Sequence, residues 1–228
     1  MRKRMGVAAL LLSGFSFAQG DLRGVWKAEG KAYLNLETSG AIVEPRSGKL
    51  PYRPGARTQA DFTLNKRSDP DLRCFQPGVP RATALPYPFQ IFQTDRAVYI
   101  AYQRVHSYRI LYLDGTPHNR GLDFAMGDSR AHWEGSTLVA DVVSQSDKTW
   151  LDAAGHNHSD QMHVVERYTR NGPDTISYEA TVEDPQVFTS PWKIHLLLRK
   201  QKEAELTEDE CDVDSEGVRH HVPPFKKR

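Results

Sequence analysis

From Phe89 onward the chain breaks into short runs rich in Val, Ile, Tyr and Leu, and this punctuation constrains the fold more than any other feature. The runs are FQIFQT (89–94), AVYIAYQ (97–103), SYRILYL (107–113), STLVADVV (136–143), HVVERYTR (163–170), TISYEATVED (175–184) and WKIHLLLRK (192–200). Turn formers separate them: Asp114-Gly115, Glu134-Gly135 and Asn171-Gly172-Pro173-Asp174. Regularly spaced short strands joined by turns predict a mostly β chain, an antiparallel barrel or sandwich.

Alternation shows which faces turn inward. Across AVYIAYQRVHSYRILYL the even positions Val98, Ile100, Tyr102, Arg104, His106, Tyr108, Ile110 and Tyr112 share one face, apolar at both ends and polar in the middle. A turn or one-residue bulge near Arg104 would reverse the second half. Farther on, Val164, Glu166 and Tyr168 share a face, opposite the apolar set Ile176, Tyr178, Ala180 and Val182. Glu166 is thereby expected inside, beside tyrosines. A dry core does not normally take a lone glutamate, so a barrel with a ligand cavity is expected.

The start of the chain differs. MRKR followed by MGVAALLLSGFSF and Ser16-Phe17-Ala18 reads as a secretory signal peptide over residues 1–18, cut after Ala18. The apolar run is too short to span a bilayer, which takes roughly 20 residues. A periplasmic or secreted location is expected, with no membrane association after cleavage. Loss of Arg2, Lys3 and Arg4 takes the formal charge from +1 to −2, which disfavours nucleic acid as a partner. The roughly 200 residues that follow suit a single domain over 19–216, and the sequence sets no oligomeric state. Residues 22–36 read as an opening strand pair. Residues 39–90 read as a long irregular excursion, with a short helix near RTQADFTLNKR (57–67) and an extended or turn-like, proline-rich stretch at 73–89. Residues 217–228 read as a disordered basic tail. Cys74 and Cys211 are the two cysteines, and in an oxidising compartment they are expected to pair.

Two resemblances add to this. Gly24-Val25-Trp26 is similar to the Gly-x-Trp opening of lipocalin-like barrels, which implies that architecture. The segments YRILYLDGTPH, HWEGSTLVADVVSQSDKTWLDAAGHNHSDQMHVVERYTR and VEDPQVFTSPWKIHL resemble a large family of exported soil-bacterial proteins whose middle reads approximately WEGDTLVVDTxGFNDxTWLDxxGHPHS. The resemblance implies export and a shared site, with no reaction attached. This chain departs from that pattern at Ser144-Gln145-Ser146-Asp147, at Ser136 and at Asn157.

Chemistry concentrates in WLDAAGHNHSDQMHVVER (150–167). His156, His158 and His163 could hold a divalent metal such as zinc, since three protein ligands plus water form the catalytic zinc pattern. Their spacing matches no established zinc motif, and the ordinary alternative is a loop and strand with unrelated histidines. Acid–base chemistry asks for less. His158, oriented by Asp152, with Glu166 and His106 entering the same cavity, would supply it. Arg109, Tyr102, Tyr168, Trp150 and Lys148 would bind substrate. Arg109 and Glu166 read equally well as a buried structural ion pair. Nucleotide cofactors are disfavoured because no GxGxxG or GxxxxGK occurs. The expectation is an exported enzyme of lyase, dehydratase or isomerase type acting on a small aromatic or apolar compound, cofactor-free or metal-assisted. The alternative is a non-catalytic periplasmic carrier of a small hydrophobic ligand. Either way Trp150–Asp160 should be a loop at the barrel mouth, bringing His158 over a cavity that Glu166 enters from the wall.

Overall fold

A computed structural model describes residues 20–56, 68–119, 121–209, 211–213 and 219–221. Nine strands close into a barrel: β1 (Gly24–Ala28), β3 (Phe89–Gln93), β4 (Ala97–Tyr102), β5 (Tyr108–Tyr112), β6 (Asp128–Glu134), β7 (Thr137–Val143), β8 (His163–Gly172), β9 (Thr175–Glu183) and β10 (Trp192–Lys200), with β10 returning to β1. A further strand, β2 (Ile42–Glu44), pairs beside the start of β10. Two four-residue helices, α1 (Leu36–Ser39) and α2 (Arg81–Ala84), complete the regular structure of this body.

The barrel departs from a plain antiparallel ring at one seam. Neighbours can alternate direction all the way round only when the strand number is even, so nine strands require a parallel pair. That pair is β5–β6, joined in register only at Leu111↔Ser129 and Tyr112↔Arg130, and residues 113–127 make the crossover. The first half of β5 is therefore left without a ladder partner on that side.

Strand alternation fills the lumen. Trp26, Phe89, Ile91, Val98, Ile100, Leu111, Leu138, Val142, Val164, Ile176, Val182, Ile194 and Leu198 are all essentially fully buried. The reversal anticipated near Arg104 occurs there. A 3-10 turn at Arg104–His106, with Val105 and His106 at positive φ, changes the inward parity, so β5 buries Arg109 and Leu111 and turns Tyr108 and Tyr112 outward. Trp26 is fully buried and donates its indole N–H to the Leu22 carbonyl at 2.8 Å. Arg170 and Lys200 lie over its ring.

Several N-terminal expectations change. Residues 22–36 give one strand, β1, and then turns, because Asn35 accepts from the Thr38 N–H and caps α1 instead of continuing a hairpin. The proline-rich stretch is not wholly extended: Pro80 leads directly into α2, whose four residues are all buried. Strand β6 is an addition. Its sequence DSRAHWE is too polar to announce itself, yet Ser129 and Ala131 face inward. The expected signal peptide and the helix over 57–67 lie outside the described residues. Within the span read as a tail, β12 (Arg219–His221) pairs with β11 (Cys211–Val213), so part of that span carries strand.

Cys74 and Cys211 are bonded, with a sequence separation of 137. Around this link, Arg104 is a buried hub. It donates to both carboxylate oxygens of Asp71 at 2.8 and 2.7 Å and to Asp209 at 3.2 Å. Asp209 also accepts from the Val105 N–H. Disulfide and hub together tie the excursion, the reversal turn and the C-terminal segment to one another. A link of this separation stabilises by about 5 kcal/mol in the chain-entropy model. Reduction should therefore lower the melting temperature by roughly 10 °C or more. Calorimetry with and without reductant checks this, and an unchanged transition would show that the hub alone suffices.

Candidate functional site

The dense stretch folds as a loop followed by a strand, as expected, but the loop is packed rather than wet. Asp152 is fully buried and organises it. Its Oδ1 accepts from the N–H groups of Ala154 and His156, and its Oδ2 accepts from the Leu36 N–H at 2.7 Å and lies 2.5 Å from His156 Nδ1. Asp152 thus pairs with His156, not with His158. His156 is fully buried and stacks against Tyr52.

His158 is also buried, with both ring nitrogens engaged. Nδ1 donates to the Ser159 carbonyl at 2.8 Å. Nε2 lies 2.8 Å from the Thr149 hydroxyl, which Gln145 in turn contacts. Burial pushes the imidazole below the usual histidine range, outweighing the Ser159 carbonyl and the Asp184 charge that favour protonation. A neutral histidine with both nitrogens committed is a structural pin. It has no free atom with which to take a substrate proton.

His163 lies on the outer face of β8, with Nε2 at 2.8 Å from Asp141. The three histidines singled out for a metal therefore take three separate partners: Asp152, Thr149 and Asp141. Among the described residues no group of three or more His, Cys, Asp or Glu is gathered for a metal ion. His106 is exposed on the reversal turn and its Nε2 accepts from the Asp209 N–H. Lys148 is exposed and Trp150 half-buried.

Glu166 faces inward as the alternation requires, and it is fully buried. In register it sits between Ala140 of β7 and Ala180 of β9. Those small side chains leave room for Arg109, which donates from Nη2 to Oε2 at 2.6 Å and from Nη1 to Oε1 at 3.2 Å. The Tyr168 and Tyr178 hydroxyls donate to Oε1 at 3.0 and 2.8 Å, and Arg109 Nη2 reaches Ser129 Oγ. Thr83, from α2, meets the hydroxyls of Tyr102 and Tyr168 and closes the set. Burial alone would lower the Arg109 pKa, but the Glu166 charge holds it well above the ordinary value. Burial, and then the Glu166 charge, keep Tyr168 and Tyr178 protonated far into alkali. Where a ligand cavity was expected, the lumen holds an ion pair with its hydrogen bonds largely satisfied. The structural alternative for Arg109 and Glu166 is the one observed. Tyr102 and Tyr168 are bonded into the same interior and do not face a ligand.

An open concavity lies outside the lumen, at the parallel seam. A cleft of about 490 Å³ runs between β5 and residues 119–129, lined by Tyr108, Ile110, Tyr112, Asn119, Asp123, Phe124, Met126, Asp128 and Ser129, with Arg109 in its wall. Tyr108 is 66 % exposed, and Phe124 and Tyr112 are more than one-third exposed. Arg130 stacks over Tyr112 at 4.7 Å. Gly127, at positive φ, presses against Val142, where a Cβ would come within 2.6 Å of the Val142 side chain, so a glycine is needed to bring the crossover onto the sheet. Phe124 is fixed by its N–H bond to Ser144 and by its carbonyl, which accepts from Ser146. Of the site residues read from the sequence, Arg109 alone lines this cleft. Tyr108, Tyr112 and Phe124 were missed. The available signal was the parity reversal itself, which turns two tyrosines of β5 to solvent.

No protein-family model and no curated protein matches this sequence.

The interior pair gives a direct prediction. Glu166→Ala leaves the Arg109 cation buried and unpaired, and should cost about 3–5 kcal/mol. Arg109→Met combined with Glu166→Leu should cost much less than the sum of the single changes, because both charges leave together. Urea unfolding of Glu166→Ala, of Arg109→Met and Glu166→Leu singly, and of the two combined measures this, and additive losses would mean the two side chains are not coupled.

Proposed function

We propose that the protein is an exported carrier that holds a small aromatic or flat apolar compound in the cleft between β5 and the 113–127 crossover. The observation that carries the reading is the group of exposed rings, Tyr108, Tyr112 and Phe124, on one concave surface. Exposed aromatic groups in a concavity mark binding sites, and a few polar groups beside them orient the ligand. Asn119 and Asp123 supply such groups here. A flat ligand would gain offset or edge contacts with these rings, worth about 0.5–1.5 kcal/mol each beyond burial.

Carriage is favoured over acid–base catalysis by how the proton-handling residues are used. Glu166 is neutralised by Arg109 and sealed by tyrosines, and His158 has both nitrogens committed. Export is supported by the Cys74–Cys211 bond, which belongs to oxidising compartments. No helix among the described residues is long and apolar enough to cross a membrane.

The test is calorimetric titration of the purified chain with a panel of small phenolic and indolic probes. Tyr108→Ala and Phe124→Ala should each weaken the best binder about tenfold, roughly 1.4 kcal/mol, and His158→Gln should leave its affinity within about twofold. Affinity that survives both ring truncations and falls with His158→Gln would place the ligand at the packed loop and overturn the cleft reading.

A further inference from the structure

The crossover that frames the cleft is fastened to the barrel through one histidine. His118 lies in the YLDGTPH segment, and its two ring nitrogens point at two carboxylates on different strands. Nδ1 is 2.8 Å from Asp128 Oδ2 on β6, and Nε2 is 2.8 Å from Asp141 Oδ1 on β7. The second oxygen of Asp141 faces His163 Nε2 on β8, also at 2.8 Å. Around this bridge the backbone is tied down further. Asn119 donates to Asp128 from both its N–H and its side-chain amide, and Arg130 donates to Asp128 and to the Pro117 carbonyl. The same crossover then contributes Asn119, Asp123, Phe124 and Met126 to the cleft.

An ionised carboxylate only accepts hydrogen bonds, so a ring nitrogen facing it must carry a proton. Two such carboxylates on one imidazole require both ring N–H groups, which is the imidazolium form. A neutral imidazole has a single N–H and leaves one carboxylate facing a lone pair. We propose that His118 is a proton-dependent clasp: as an imidazolium bridging Asp128 and Asp141 it holds the crossover against the barrel, and loss of one proton releases it. The inference concerns the backbone of the crossover and stands apart from any ligand; the cleft reading gives it its consequence, release of bound cargo.

The charged groups around the ring are Asp128 and Arg130 from β6, Asp141 from β7, His163 from β8 with Glu183 of β9 beside it, and Asp114 on the crossover itself near Arg130. The bond to Asp141 raises His163, so its attraction is full below the ordinary histidine value and is lost as pH rises through the raised one. The bond to His163 lowers Asp141, outweighing burial, so the Asp141 charge persists until pH falls well into acid. Asp141 therefore presents a charged partner to His118 from moderate acid upward, and the clasp depends on whether the ring carries its second N–H.

Amide hydrogen exchange of the full chain, corrected for intrinsic rates, reads the clasp directly. Protection over residues 113–119 should fall about tenfold or more between about pH 6 and about pH 9, and the β8–β9 hairpin should hold its protection. His118→Gln should lack the extra protection at both pH values while keeping that of β8–β9, which controls for folding. Wild-type protection that does not change with pH, or a His118→Gln chain as protected as wild type at about pH 6, would overturn the proposal. A clasp that titrates in a chain that binds no aromatic probe supports this inference and removes the cleft reading alone.

Discussion

The rest of the barrel is arranged around a buried charge pair. Arg109 and Glu166 are almost completely removed from water, and taking two ions out of water costs several kcal/mol each before their attraction repays it. Repayment here depends on geometry: two guanidinium–carboxylate bonds, two tyrosine hydroxyls and a serine. That geometry needs small neighbours, which Ala140 and Ala180 provide, and a lid, which α2 provides through Thr83. It also fixes register. A one-residue slip of β8 would carry Glu166 outside and strand Arg109. The pair thus specifies which face turns inward more than it adds net stability over apolar packing.

With the lumen occupied, the cleft of the proposed function lies where the sheet is weakest. Nine strands force one parallel neighbour, and a parallel pair cannot be closed by a tight hairpin. The chain therefore crosses from the end of β5 to the start of β6 through residues 113–127, and only two register pairs join the strands. The unpaired half of β5 and the returning crossover form the two walls of the cleft. Arg109 links the two regions, since its guanidinium serves the interior while its residue lines the cleft. The crossover is in turn bonded through His118 to Asp128 of β6 and Asp141 of β7, so the shape of the cleft depends on those carboxylates.

Much of this was legible before any coordinates. Period-two alternation placed Val164, Glu166 and Tyr168 opposite Ile176, Tyr178, Ala180 and Val182, and all of them are buried. The two-sided reading of the Arg104 region also held, because a polar interruption in an apolar strand is where a turn can change parity. Strand β6 escaped because the side chain that fills its part of the lumen comes from Arg109, so β6 itself needs only Ser129 and Ala131. The site was less legible. A histidine-dense stretch suggests chemistry when counted along the chain, but Asp152 spends its oxygens on backbone N–H groups and His156, and His158 is held by Thr149. The Leu36 N–H that Asp152 also accepts from, like the partners of His118, comes from another segment, and the local bonds of this loop are of a kind that no periodic pattern encodes. The outer rings were hidden by the same effect, since Tyr108 and Phe124 come to line one cleft only after the crossover folds back.

The central claim is that ligand contact occurs on the outer cleft while the charged lumen stays closed. Carbon-13 labelling of the tyrosine rings separates the two surfaces in one spectrum. Titrating the labelled protein with a small phenolic or indolic probe should shift the ring signals of Tyr108 and Tyr112 and leave those of Tyr102, Tyr168 and Tyr178 in place. Movement of the three interior rings with the outer pair unchanged would contradict the account, because it would require the Arg109–Glu166 interior to open and take the ligand itself.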